Sequence, residues 1–393
     1  MAILNSVAHL HDEMTAWRHE LHQHPETCYE EFWTSDFVAS QLDSFGLEVH
    51  RGMGKTGVVG VLRGSGTSDM AIGLRADMDG LPMDEANDFA HKSLTQGRMH
   101  ACGHDGHMAM LLGAAKYLSS TKNFDGTVYF IFQPAEEGGA GAKAMMDDGL
   151  FTDFNMANVW GMHNWPGLEV GKIAVHDGAC MASADHFKIE IHGRGSHAAM
   201  PHQSQDPIIA GTSLVQNLQT IVARRIDPLD AAVVSVTALQ GGSAYNVIPD
   251  SLEIRGTARA LKPQTRATLQ TAIRAMTAQI CEAHDVTGEV TWHVGYPACI
   301  NHKAESQRAC DVAGDIVGAE NIVKNPPASM GAEDFAYMLE ERKGAYIWIG
   351  GGEAQAGKML HNTSYDFNDD ILPIGASYWA RLVETELPLN GKV

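Results

Sequence analysis

The chain has 393 residues, too many for one ordinary hydrophobic core, so two domains are expected. Hydrophobic residues make up 44% and charged residues 19%, which excludes a disordered polar chain. A formal net charge of −20 excludes nucleic acid as a partner and gives no attraction to an anionic membrane surface.

The cysteines, at 28, 102, 180, 281, 299 and 310, have no paired spacing and form no disulfide framework, which predicts a reducing compartment. No stretch approaches the roughly 18 apolar residues that a membrane span needs. The opening segment MAILNSVAHLHDEMTAWRHEL carries early charges and lacks the apolar centre of a signal peptide. A soluble cytoplasmic protein is the expectation.

Leu4, Val7, Leu10, Met14, Trp17 and Leu21 recur on one face, which predicts an amphipathic helix over 4–24, ended by Pro25. A second helix spans 30–45, followed by strands at Val58–Leu62 and Met70–Leu74. The latter runs into Arg75-Ala76-Asp77-Met78-Asp79-Gly80. Two carboxylates and an arginine there mark either the edge of a site or a turn held by Asp and Gly.

Met99–His107 packs three imidazoles and a thiol into nine residues. Cys102 and His104 flank the flexible Gly103, so both side chains can converge on one point, and thiolate with imidazole suits a borderline-soft divalent metal. A reduced core cysteine beside solvated histidines is the alternative. Met108, Leu111, Leu112, Ala115 and Leu118 then predict a buried helix, with Asp105 as its cap. The pair would thus sit on a loop feeding a helix, where open α/β sheets gather ligands.

Thr127–Phe132 reads as a central strand buried on both faces, and it runs into Gln133-Pro134-Ala135-Glu136-Glu137. Neighbours on an extended chain point opposite ways. One glutamate can therefore hold a metal while the other faces a substrate water; an exposed acidic turn is the alternative. A short strand over Asn158–Met162 then exits at His163.

From Met181 the pattern changes to strands with one wet face, in the order β-α-β-β-α-β, which predicts a ferredoxin-like sandwich. It is read as an insert over 181–294 between two parts of a first domain, 1–180 and 295–393. The resumed part holds a helix near 304–318, a strand at Ala345–Ile349, His361 in a loop, and a closing helix near 371–386. Cys102, His104, Glu137, His163 and His361 are all metal-ligand types on loops at or near strand ends. One metal site beside Glu136 explains them better than five accidents.

The segments ACGHDGHMAMLLGAA, QPAEEGGAGAK, GMHNWP, GRGSHAAMPH, GGSAYNVIP, MGAEDF and LHNTSYDFND, in this order over nearly the whole chain, resemble the M20 metallopeptidase family. More narrowly they resemble its amidohydrolase branch of hippurate hydrolases, N-acyl-amino-acid amidohydrolases and auxin–amino-acid hydrolases. The resemblance implies an α/β catalytic domain with a mixed central sheet between helices, and a smaller insert serving as lid and dimer interface. It makes Cys102, His104, Glu137, His163 and His361 ligands of two divalent metals, of manganese, zinc, cobalt or nickel type, with Cys102 bridging. Glu136 matches the general base, and Asp77 an acidic residue that orients a metal-binding histidine two positions earlier. Here that earlier position is Arg75, as in the hippurate-hydrolase variant, so no ligand is expected at 75. His197 matches a lid histidine that steadies the oxyanion in a neighbouring subunit, and Asn246 and Arg259 match contacts to the substrate carboxylate.

The implied reaction is hydrolysis of an N-acyl-L-amino acid, hippurate-like or auxin-conjugate-like, by a homodimer or tetramer. A dipeptidase or carbamoyl-type amidase on the same scaffold is the rival among enzymes. A metal- or ligand-binding protein without turnover is the rival outside them, and Glu136 beside Glu137 weighs against it.

Overall fold

The computed structural model describes residues 3–353 and 358–389. Two compact units divide the chain: Met1–Gly178 with Ile300–Pro327 and Tyr337–Val393, and Ala179–Cys299 with Ala328–Ala336.

The first unit is built on an eight-stranded mixed sheet, in the spatial order Glu48–Met53, Gly57–Arg63, Thr127–Gln133, Ala71–Asp77, Asn158–Trp165, Lys343–Gly350, Ile173–Val175, Ile322–Lys324. The four strands from Thr127–Gln133 to Lys343–Gly350 are mutually parallel. Apolar runs such as Ile72–Leu74 and Phe130–Phe132 fit that position, since parallel strands are covered on both faces. Their carboxyl ends therefore share one edge, where such sheets collect ligands.

The helix His104–Thr121 lies in the core of this unit, buried without break from 104 to 115. A helix apolar on nearly every side has no wet face to present, and this one packs against helices His11–Gln23 and Leu372–Glu386. Gly375 permits the second contact, because a Cβ there would lie 2.0 Å from the Met110 sulfur.

The second unit carries a four-stranded antiparallel sheet in the order Ala232–Gln240, Ser251–Ala260, Ser183–His192, Thr287–His293. Phe187, Ile189 and Ile191 face its core together with Leu214, Leu218, Leu269 and Ile273 of the helices Pro207–Arg225 and Pro263–Ala283. Among the described residues no helix is long and apolar enough to cross a membrane.

Local differences from the sequence reading have physical causes. The first helix is two, Asn5–Ala8 and His11–Gln23, because the Leu10 amide closes on the Val7 carbonyl at 2.9 Å and leaves helical geometry. The strand Glu48–Met53 went unforeseen because it is an edge strand, largely polar and exposed. His163 lies inside its strand, which continues to Trp165. Asp105 is not the helix cap: Gly103 holds that position, and the Asp105 carboxylate turns to His22.

That contact belongs to a network joining four segments. The Arg18 guanidinium donates to Asp369 at 2.8 and 2.9 Å and to Asp366 at 2.8 Å, and lies 3.7 Å from Asp105. His22 bonds Asp105 at 2.8 Å and Glu85 at 3.2 Å. Burial alone would push the His22 ring down, but Asp105 and Glu85 outweigh it and hold its pKa up to about 9.

A histidine raised in this way stabilises the fold fully below its unfolded value near 6.5, and loses that contribution as pH climbs through about 9. The shift corresponds to about 3 kcal/mol. Thermal unfolding is therefore expected to move down between about pH 7 and pH 9.5, and His22→Asn to flatten that part of the profile. An unchanged slope in the variant would assign it to another group.

Candidate metal centre

The centre is built at the shared edge of the parallel strands. Beyond Gln133 the chain turns at Ala135, whose φ of +55° is left-handed, and then presents Glu136 and Glu137. The Asp79 carboxylate, two residues past the end of the neighbouring strand, accepts the Glu136 and Glu137 amides, each at 2.9 Å. One buried carboxylate thus fixes the backbone of both glutamates.

Cys102 and His104 are brought together by Gly103, which has a φ of +97°. A Cβ at this glycine would lie 2.3 Å from Asn164 Oδ1 and 2.8 Å from the Tyr365 hydroxyl. His104 Nδ1 donates to the Asp79 carbonyl at 2.7 Å, and His163 Nδ1 donates to the Asn164 carbonyl at 2.6 Å. Because a carbonyl only accepts, these bonds place a proton on each Nδ1 and turn each Nε2 inward. His163 Nε2 lies 3.4 Å from the Cys102 sulfur. His361, at φ +59°, is tied by its amide to the Ala101 carbonyl at 2.8 Å, and its Nε2 lies 3.1 Å from Glu137 Oε1.

Two triads result. The donor atoms of Cys102, His104 and His163 lie within 4.8 Å of one another, and so do those of Cys102, Glu137 and His361. Cys102 belongs to both. His104, Glu136 and Glu137 form a further group at the same spacing. All five ligand types expected from the sequence are therefore gathered in one place with Glu136.

Two observations fit this donor set to divalent metal. His104 Nε2 is buried with no hydrogen-bond partner, an arrangement that costs free energy unless something pairs with it. The electrostatics point the same way. Burial, then the charges of Glu137, Glu136 and Asp77, push the Cys102 thiol well up. Burial opposes a proton on His104, but Asp77, Asp79 and Glu137 outweigh it and carry the ring up to about 10. Burial and His107 push His163 down, so its ring is neutral. An anionic pocket that holds extra protons on its donors is one from which a dication would displace them.

Asp77 is outside these two triads but forms a group at the same spacing with His104 and His107. It accepts from Arg75 at 2.7 Å, bonds His107 Nδ1 at 2.6 Å and stands 3.7 Å from His104 Nε2. Burial disfavours its charge, yet His104, Arg75 and His107 hold it well below the ordinary carboxylate value. His107 Nε2 continues to Asn164 Oδ1 at 2.7 Å. The sequence reading gave no role to His107 or Asn164 and placed Asp79 only at the edge of a site or in a turn. The signal for Asp79 was present in the Asp77-Met78-Asp79 run; His107 and Asn164 act through contacts distant in sequence.

In the second unit, His197 and Asn246 are brought side by side. Residues Ser196–His197 pair with Val247–Ile248, and the Ala198 amide donates to the Asn246 carbonyl at 3.0 Å. His197 is exposed, with Nδ1 accepting the Ala199 amide at 3.1 Å. Arg259, in the strand Ser251–Ala260, donates to the Met330 carbonyl at 3.1 Å.

Residues 73–385 match the model for peptidase family M20/M25/M40. The chain is 43% identical over 382 residues to a hippurate hydrolase of Campylobacter jejuni, covering 97% of this chain and 98% of the relative. It is 38% identical over 378 residues to an IAA-amino acid hydrolase of Arabidopsis thaliana, covering 94% and 85%. A solved Bacillus subtilis structure, described as a dinuclear metal-binding peptidase from the M20 family, superposes with a TM-score of 0.85 at 31% identity, covering 97% and 99%.

Gly103→Ala would force a Cβ into Asn164 and into a left-handed conformation that costs an ordinary residue about 1–2 kcal/mol. The variant is expected to keep its far-ultraviolet circular dichroism and to lose most of its metal, as measured by mass spectrometry. Wild-type metal content would show that the loop does not depend on this residue.

Proposed function

The chain belongs to peptidase family M20/M25/M40 and is an amidohydrolase of it, and we propose that it cleaves the amide bond of N-acyl-L-amino acids to a carboxylic acid and a free amino acid. Hippurate and IAA–amino acid conjugates, named in its relatives, are both such compounds. The observation that carries the reading is the pair of triads sharing Cys102, with Glu136 on the turn that also delivers Glu137.

Cys102, His104 and His163 would hold one divalent ion and Cys102, Glu137 and His361 a second, of manganese, zinc, cobalt or nickel type. When bound, such ions acidify water and polarise a carbonyl. Glu136, almost wholly buried, takes a proton from the attacking water as the C–O bond forms, and delivers it to the amine nitrogen as the C–N bond breaks. Asp77, neutralised by Arg75, fixes the His107 ring beside the ligands.

In the same reading, 181–294 is a lid and dimer interface whose His197 donates to the oxyanion in a neighbouring subunit, while Asn246 and Arg259 receive the substrate carboxylate. The assembly is a homodimer or a tetramer of such pairs. All six cysteines are free, which supports a cytoplasmic setting.

Glycine release from hippurate, lost to chelator and restored by manganese or zinc, is the primary test. Preference for an unblocked dipeptide over hippurate would replace the substrate class. Glu136→Ala should retain wild-type metal while turnover falls about 10²–10⁴-fold; activity within tenfold of wild type would reject Glu136 as the proton carrier.

His197→Ala should lower kcat about 10²–10³-fold, the usual weight of one oxyanion donor, in a protein still folded and dimeric by light scattering. Wild-type turnover in that variant would remove His197 from the reaction.

A further inference from the structure

We propose that Glu31 is a positioning residue for Glu136, holding the left-handed turn at Ala135 through a hydrogen bond from its amide. The proposal rests on the reading of Glu136 as the proton carrier. Glu31 is wholly buried, and each of its oxygens is engaged. Oε1 accepts the Ala135 amide and the Tyr29 amide, each at 2.9 Å, and Oε2 accepts the Thr56 hydroxyl at 2.6 Å.

The position of these bonds matters more than their number. Three successive amides, of Ala135, Glu136 and Glu137, all end on buried carboxylates: the first on Glu31, the next two on Asp79. Asp79 alone would orient the two glutamates but would leave the residue before them free to relax to ordinary backbone angles. Ala135 carries a Cβ, so its φ of +55° persists only while its surroundings over-determine it. The segment around Glu31 also grips the far side of the turn. The Tyr29 hydroxyl donates to the Gly139 carbonyl at 2.6 Å, and a Cβ at Gly139 would lie 2.1 Å from the Cys28 sulfur.

Stability alone gives little reason to place an acid here. Burial pushes the Glu31 carboxyl up to about 6, partly offset by the Thr56 hydroxyl and reinforced by the charge on Asp79. A carboxyl raised above its unfolded value contributes most below that value and loses the contribution as pH rises through about 6. At neutral pH the ionised group is thus held against the preference of its surroundings. The charge makes it a stronger acceptor for the Ala135 amide.

The test compares Glu31→Ala, Glu31→Gln and Glu136→Ala as full-length, metal-loaded protein. Glu31→Ala should keep wild-type metal content, because Asp79 still holds the Glu137 amide, and lose at least 100-fold in kcat with KM changed less than threefold. Glu31→Gln, whose side-chain oxygen can still accept both amides, should recover kcat to within tenfold of wild type. Hydrogen exchange followed by mass spectrometry, without substrate, should show the 134–139 peptide at least tenfold faster in Glu31→Ala and the 127–133 strand unchanged. A kcat for Glu31→Ala within threefold of wild type overturns the proposal, as does a loss that only follows lost metal or lost fold. A Glu31→Gln as slow as Glu31→Ala also overturns it, because an oxygen still able to accept both amides would then not sustain the turn. If Glu136→Ala is itself active, the reading of Glu136 fails first, and the exchange result alone then decides whether Glu31 holds the turn.

Discussion

The carboxylate of Asp79, accepting two successive amides, is the contact on which the centre depends. It lies just past one parallel strand and binds the loop leaving the adjacent one, so it joins two strand exits that the sheet has already placed side by side. Its backbone carbonyl receives His104 Nδ1 as well. One residue thereby orients Glu136, Glu137 and the first imidazole of the central helix. Each of these bonds has a charged acceptor or a buried carbonyl, the setting in which hydrogen bonds fix geometry most firmly.

The same arrangement concentrates negative charge where water is scarce. Asp77, Asp79 and Glu136 are buried within reach of the donors, and Arg75 is paired with Asp77. Uncompensated charge in such a place is costly, and proteins avoid it by pairing, by protonation or by binding a cation. Protonation is the answer the chain gives by itself, on the Cys102 thiol and the His104 ring. A dication is the other answer, and the inward-facing Nε2 atoms are already turned to receive it. The anionic character that raises these pKa values is therefore the property that suits the pocket to a divalent metal.

Much of this was legible from residue order. Apolar runs marked the central strands, the three- and four-residue spacing marked the buried helix, and the ligand types at strand ends marked Cys102, His104, Glu137, His163 and His361. Three things were not legible. Asp79 could be read as the edge of a site or as a turn aspartate but not as the anchor of both glutamates, because the amides it binds lie 57 and 58 residues away. Asp105 had the composition of a helix cap but was drawn into the Arg18 and His22 network by burial. The left-handed geometry at Ala135 and His361 has no sequence signature, since neither residue is one that favours it. Sequence patterns report local preference and burial, whereas these residues answer to partners brought near only by the fold.

The two triads also differ in a way that bears on how the centre is approached. Cys102, His104 and His163 are all buried, while the triad sharing Cys102 opens through a half-buried Glu137 to an exposed His361. His361 is held by one backbone bond to Ala101, whereas His104 and His163 each have a ring nitrogen tied to a backbone carbonyl. Solvent therefore meets the centre on the Glu137 and His361 side. Glu136 leaves the same turn as Glu137, so its carboxylate stands at the boundary between the closed triad and the open one. A carboxylate placed there can meet water arriving from outside while the buried triad stays fixed behind it. The asymmetry follows from chain position: the buried donors come from the central helix start and a core strand, and the exposed one from a loop.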